Sequence, residues 1–163
     1  MSYSTAQIRN VALAGHSGAG KTMLFEALLH AGGAIPAAGS LERGTTVSDF
    51  DPMERRAEHS LNAAVMHLTH RGTRIHLIDT PGYADFICQS MTALEAVETA
   101  AVVINASTGI EAISARMMEW AAQRQLCRLV IVNKIDAAGV DLAGLVARIQ
   151  AAFGKECLPL NLP

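Results

Sequence analysis

The sequence carries little charge and no excess of either sign. Of 163 residues 17% are charged, 13 Lys plus Arg against 15 Asp plus Glu, for a formal charge of −2 and a pI near 6.3. A protein that holds nucleic acid chiefly by neutralising phosphates is far more basic, so any RNA contact is local or belongs to residues outside this chain. Low charge beside 50% apolar content also excludes a disordered tail. The length suits one domain with a single buried core. Cysteine is sparse too. Cys88, Cys127 and Cys157 are widely spaced, odd in number and form no Cys-x-x-Cys pair. That argues against disulfides and zinc, and because each lies in apolar sequence it predicts reduced core thiols in a cytosolic protein. No run approaches the roughly 18 apolar residues of a membrane-spanning helix, and the polar stretch Met1–Asn10 does not read as a signal peptide. There is no internal repeat and no low-complexity tract. A soluble cytoplasmic domain is the expectation.

Four apolar runs of strand length are present: Val11–Ala14, Ile75–Ile78, Ala101–Ile104 and Leu129–Val132. They are continuous rather than alternating, the pattern of strands covered on both faces. Between them lie segments of helical period: Leu24, Ala27, Leu28 and Ala31; Ile113, Met117, Trp120 and Ala121; Leu142, Leu145, Val146, Ile149 and Phe153. This alternation predicts an α/β fold, a mostly parallel sheet with helices on both faces. Ser60–His70, the turn Arg71-Gly72 and Thr73–Thr80 read as a hairpin, which adds one antiparallel edge strand. Gly32 to Glu58 shows no steady period, and a loop that long in a compact domain is functional or mobile. The mobile stretch is placed at about residues 32–60.

Gly15-His16-Ser17-Gly18-Ala19-Gly20-Lys21-Thr22 fits G-x-x-x-x-G-K-S/T between the first strand and the first helical stripe. Glycines let the backbone wrap a phosphate, toward which loop and helix N–H groups then point. Lys21 would reach the β and γ phosphates and the Thr22 hydroxyl would ligate magnesium. The plain alternative is a glycine turn. Asp79-Thr80-Pro81-Gly82 closes the Ile75–Ile78 strand. A carboxylate there suits a magnesium-bound water, and Gly82 offers a bare N–H to a γ-phosphate; alone, the tetrapeptide is also an ordinary turn. Asn133-Lys134-Ile135-Asp136 closes the last strand. Asp136 would accept from the ring N–H and exocyclic amine of guanine, which adenine lacks, so GTP is selected over ATP. Asn133 can bond the purine edge and the Lys134 stem can lie along the base; alone, this motif reads more readily as a helix cap. In order, and each at the C-terminal end of an apolar strand, the three describe a P-loop GTPase.

With their neighbours these residues resemble the GTP-binding domain of elongation factor G and its paralogues among the translational GTPases, a P-loop NTPase G domain. The resemblance rests on Asn10–His16, on Asp79-Thr80-Pro81-Gly82-Tyr83-Ala84-Asp85-Phe86, on Asn133–Asp136 and on the closing run Leu158–Pro163. It covers nearly the whole chain. It implies that 1–163 is the N-terminal part of a GTP-binding domain in a protein several times longer. GTP or GDP and magnesium are then the ligands and the ribosome the partner, reached through domains absent here, with no membrane and a monomeric fragment.

By the same resemblance Glu54–Leu61 is the first switch, with Ser60 at the place of a magnesium-binding threonine, although Ala57-Glu58-His59 does not keep the usual flanking residues. Asp79–Phe86 is the second switch, and such segments are ordered by the γ-phosphate and released on hydrolysis. Lys21, Gly82 and Tyr83 are the candidate catalytic residues. Tyr83 stands where the family has a histidine that orients the attacking water. A phenol with an ordinary pKa near 10 supplies no imidazolium at neutral pH, yet its hydroxyl can hold a water. Weaker or differently triggered hydrolysis follows, in an elongation-factor-G-like paralogue. Gly18 replaces an aspartate found near a monovalent cation in many relatives. The chain ends before the motif that completes the guanine pocket, which implies reduced nucleotide affinity. A nucleotide-binding switch module with little or no GTPase activity is the alternative.

Other candidates have plainer explanations. His67 and His70, three apart on a strand, face opposite sides, and His76 lies inside the next strand with no carboxylate cluster beside it. Arg55 and Arg56 belong to a solvated switch face. Met91, Met117 and Met118 fill the core.

Overall fold

A computed structural model describes residues 3–57 and 59–161, so Glu58 of the first switch and Leu162-Pro163 of the closing run lie outside the described residues. Strand β1 (Ile8–Ala14) leads through the glycine loop into α1 (Lys21–Ala31). A long connection carrying the short helix α2 (Pro52–Ala57) follows, then the hairpin β2 (Ala64–His70) and β3 (Thr73–Asp79). Next come α3 (Ile87–Leu94), β4 (Thr99–Asn105), α4 (Ala112–Gln123), β5 (Cys127–Asn133) and α5 (Leu142–Phe153). The sheet runs β2-β3-β1-β4-β5, parallel throughout except for β2 against β3. The α/β class, the single antiparallel edge strand and the helices on both faces are as the sequence predicts.

Two apolar layers hold the sheet. Ala12, Ala14, Val102 and Ile104 pack on Leu94 of α3, Met117 and Met118 of α4 and Leu145 of α5. Leu13, Leu77 and Ala101, on the opposite face, pack on Phe25 and Leu29 of α1. The periodicities of 2 and 3.6 thus meet in a double-covered sheet, as continuous apolar strands require. Gly15 makes the exit from β1 possible. Its φ is +133°, and a Cβ there would lie 2.4 Å from the Val103 carbonyl oxygen of β4. Gly15→Ala is expected to cost at least about 2 kcal/mol, read as a lowered urea midpoint at unchanged slope.

The structure corrects four expectations. The first strand of the hairpin starts at Ala64 and not at Ser60, because the N–H groups of Leu61 and Asn62 both donate to Glu54 Oε1 at 2.9 Å instead of entering the ladder. The stretch from Gly32 to Glu58 is not without structure. It contains α2, and the buried Glu26 of α1 accepts from Gly39 N (2.7 Å) and Val47 N (2.6 Å). Strand β5 is covered on both faces only toward its C-terminal end: Val130 and Val132 pack on the α4 and α5 layer and Ile131 on the α1 layer, but Cys127 and Leu129 are exposed. Nor are Cys88 and Cys127 core residues, whereas Cys157 packs against the core layer of α3, α4 and α5. All three are free, Cys88 and Cys127 exposed and Cys157 half-buried. The methionines do fill the core, Met117 and Met118 buried and Met91 packed against them.

Candidate nucleotide site

The strand order puts the C-terminal ends of β3, β1, β4 and β5 along one edge, and every motif found in the sequence sits there. Gly18 and Gly20 both have positive φ, and Gly20 is the residue that caps α1. That conformation leaves the first N–H groups of the helix open to an anion. Lys21 is buried and its ammonium donates to the His16 carbonyl at 2.8 Å. Burial pulls its pKa down to about 8, opposed by the nearby Asp79 carboxylate.

Beneath the loop the predicted magnesium ligands meet. Thr22 Oγ1 donates to Asp79 Oδ2 at 2.7 Å and lies 3.3 Å from Ser60 Oγ. Ser60 in turn donates to Asp49 Oδ1 at 2.7 Å, and Thr46 donates to Asp49 Oδ2 at 3.2 Å. Burial raises the Asp79 pKa to about 7; the Thr22 hydroxyl and Lys21 draw it down, and Asp49 adds a second negative charge. Asp79 Oδ1 is buried with no partner. An unpartnered carboxylate oxygen among hydroxyls and a second carboxylate is a hard-oxygen donor set, and it fits a magnesium ion.

Sequence reasoning did not find Asp49, nor the buried Glu26 that ties the loop to α1, nor the buried Glu54 that binds the segment after α2. Each is a single carboxylate, and its partners are backbone N–H groups or hydroxyls at no motif spacing, from 3 to 21 residues away. The available signal was only that acids interrupt a loop rich in Gly, Ser and Thr.

The second switch packs directly on the phosphate loop. Ser17 N donates to the Gly82 carbonyl at 2.9 Å, and a Cβ on Gly82 would lie 2.5 Å from both Lys21 Nζ and Ser17 N. Tyr83 is 43% exposed, and its ring centroid lies 4.4 Å from that of His59, so the two switches touch through a ring pair. His59 lies within the first switch, but sequence reasoning assigned its side chain no role. A cleft of about 510 Å³ runs between these groups, lined among others by Lys21, Thr22, Ser60, Gly82, Tyr83 and His59.

Of the Asn133–Asp136 motif only the first two residues reach the same cleft. Asn133 and Lys134 line it. Asn133 Nδ2 donates to Ala19 O at 2.9 Å, tying β5 to the phosphate loop. A Cβ on Gly20 would sit 2.3 Å from that same amide nitrogen. Lys134 takes a left-handed φ of 58°, turning the chain away from β5 and leaving Asp136 exposed. The remaining histidines show no metal site. His67 and His76 face each other across β2 and β3 with centroids 6.1 Å apart, His76 Nδ1 lies 2.8 Å from Asn10 Oδ1, and no group of three metal-binding side chains occurs among the described residues. Arg56 is exposed, and Arg55 donates to Asp49 O at 3.0 Å. No helix among the described residues is long and apolar enough to cross a membrane.

Known proteins are similar to this chain in sequence and fold. An elongation factor G-like protein of Mycobacterium tuberculosis (strain CDC 1551 / Oshkosh) is 40% identical over 156 residues, 96% of this chain and 22% of its own length. The mitochondrial ribosome-releasing factor 2 of Schizosaccharomyces pombe is 36% identical over 163 residues, 98% of this chain and 20% of its own. The chain therefore spans about a fifth of the length of these relatives. A crystal structure of a protein from Thermus thermophilus superposes with a TM-score of 0.87 at 39% identity, covering 91% of this chain and 22% of that one. The model of the elongation factor Tu GTP binding domain matches residues 6–160, and the chain belongs to that family.

Proposed function

We propose that this chain binds GTP and GDP with magnesium and, within a longer protein of the elongation factor G type, hydrolyses GTP to drive a conformational switch on the ribosome. The observation that carries the reading is the meeting of Lys21, Thr22, Ser60 and Asp79 at the mouth of one glycine loop. The names of the relatives support the ribosome as partner, and a cytoplasmic, monomeric chain with no membrane contact is part of the proposal.

In this scheme the N–H groups of Ser17 to Lys21 and the Lys21 ammonium take the β and γ phosphates. Thr22 Oγ1, Ser60 Oγ and the Asp79 carboxylate would hold magnesium, which supplies positive charge to the phosphate oxygens. Water attacks the γ phosphorus, the bond to the β-phosphate oxygen breaks, and GDP and phosphate leave. The Tyr83 hydroxyl, on the cleft wall, holds the water. Gly82 must first give up its bond to Ser17 N, because its carbonyl now uses a donor that a phosphate would take. That exchange is the local switch. Asp136 reads guanine.

Displacement of a fluorescent GDP analogue tests the binding. GTP and GDP should compete and a hundredfold excess of ATP should not, with binding lost on magnesium chelation; equal competition by ATP would overturn the guanine assignment. A second reading, a switch module with little catalysis, is favoured by Tyr83 in place of an imidazole. Single-turnover hydrolysis with and without ribosomes separates the two. If the hydroxyl holds the water, Tyr83→Phe slows turnover by about tenfold.

A further inference from the structure

One side chain of the phosphate loop, that of His16, does not line the cleft and is bonded to α4 instead. His16 is buried, and its Nε2 lies 2.8 Å from Glu111 Oε1, at the cap of α4. Ser114, fully buried one turn into α4, approaches the same residue twice. Its Oγ accepts from His16 N at 3.3 Å and lies 3.5 Å from His16 Nδ1. The roles are mutually consistent. A neutral imidazole protonated on Nε2 donates to the carboxylate and leaves Nδ1 to accept the Ser114 hydroxyl proton, while the hydroxyl oxygen takes the backbone N–H. Burial, with Lys21 and Lys134 nearby, keeps the ring below its ordinary pKa although Glu111 pulls the other way.

The peptide unit that follows His16 has a specific task. Its carbonyl, His16 O, receives Lys21 Nζ at 2.8 Å, and its N–H, Ser17 N, donates to Gly82 O at 2.9 Å. One peptide plane thus orients both the phosphate lysine and the glycine of the second switch. A peptide plane turns about the bonds that flank it, and His16 is the residue clamped at one side of those bonds.

We infer that Glu111, helped by Ser114, is a positioning residue of the phosphate site: by fixing His16 it fixes the His16–Ser17 peptide, and through that peptide Lys21 and Gly82. Glu111 touches no phosphate. It acts from the β4–α4 junction, with its side chain 40% exposed. The inference rests on the nucleotide reading above, but its first test needs no nucleotide.

That test is the ¹⁵Nζ signal of Lys21 by NMR in the unliganded chain. An ammonium held by a fixed carbonyl in a buried site exchanges slowly and stays visible. Glu111→Gln keeps an oxygen acceptor for Nε2 and should preserve the signal; Glu111→Ala should lose it to exchange. In the second test a fluorescent GDP analogue with magnesium should dissociate about tenfold faster from Glu111→Ala, and within about threefold of the parent rate from Glu111→Gln. Ser114→Ala, a smaller change, carries the same expectations should Glu111→Ala fail to fold. A Lys21 signal and a dissociation rate both unmoved in the alanine variant would overturn the inference. So would a lowered melting temperature with an unchanged dissociation rate, which is what a merely structural residue gives. A parent chain with a protected Lys21 signal that binds no GDP analogue would refute the nucleotide reading and leave the Glu111 comparison to be decided on the Lys21 signal.

Discussion

Asp79→Asn is expected to make the unliganded protein more stable and its magnesium-dependent nucleotide binding at least about a hundredfold weaker. Asp79 is buried with one oxygen unpartnered, and burial raises its pKa from 3.8 to about 7. Between those values the folded state binds more protons than the unfolded one, so stability falls as pH rises through that window and levels off above about 7. The whole loss is on the order of 4 kcal/mol. A neutral asparagine of the same shape avoids most of it. Melting temperatures without magnesium should therefore be higher for the variant at pH 8, by about 3–8 °C, and indistinguishable from the parent at pH 4. A variant that melts lower at pH 8 would refute the argument. Magnesium reverses the ranking, since the anion that costs stability in the empty fold is the one the cation needs. In the parent protein magnesium must displace a proton below pH 7, so its affinity should drop about tenfold per pH unit there. Lys21 has the opposite sign. Its pKa is lowered to about 8, so it costs stability below that value and the cost fades as pH rises toward its ordinary value of 10.5. Near neutral pH the unliganded site carries the cost of both charges, and a magnesium–phosphate ligand relieves both.

The order of elements and the place of each motif were legible because they depend on local pattern. The Val11–Ala14 run and the glycines after it determine a strand and a turn with little reference to the rest of the chain. Strand β5 shows where pattern stops: Leu129–Val132 reads like Ala101–Ile104, yet only the second is buried along its whole length, and nothing within four residues encodes how far a helix reaches over them. Cys88 and Cys127 were misplaced for the same reason. The carboxylates that shape the site escaped because their partners are remote. Glu26 meets Gly39 and Val47, Asp49 meets Ser60, and Glu111 meets His16. None has a spacing that sequence alone can recognise. Ser60 was found only through family resemblance, and its distance from Thr22 is what gives that placement a physical basis.

Asp136→Asn should change which base is bound without disturbing the phosphate end. In the proposed role the carboxylate would accept two hydrogen bonds from guanine, each worth about 1.5–3 kcal/mol to a charged acceptor, so GDP should bind about a thousandfold more weakly. Xanthine carries a carbonyl in place of the exocyclic amine, and the asparagine amide can donate to it; XDP should gain what GDP loses. The fold makes this separable from the chemistry of Asp79. The contact between β5 and the phosphate loop runs through Asn133 and Ala19 O, and the left-handed Lys134 turns the chain before Asp136 is reached. Magnesium dependence and the pH profile should therefore be the same for XDP on the variant as for GDP on the parent. If the variant loses GDP without gaining XDP, Asp136 does not read the base. If it keeps GDP, base selection lies elsewhere in the cleft. A magnesium dependence that shifts with the base would show that the two ends of the cleft are coupled through β5, contrary to the separation that Asn133 and Lys134 provide.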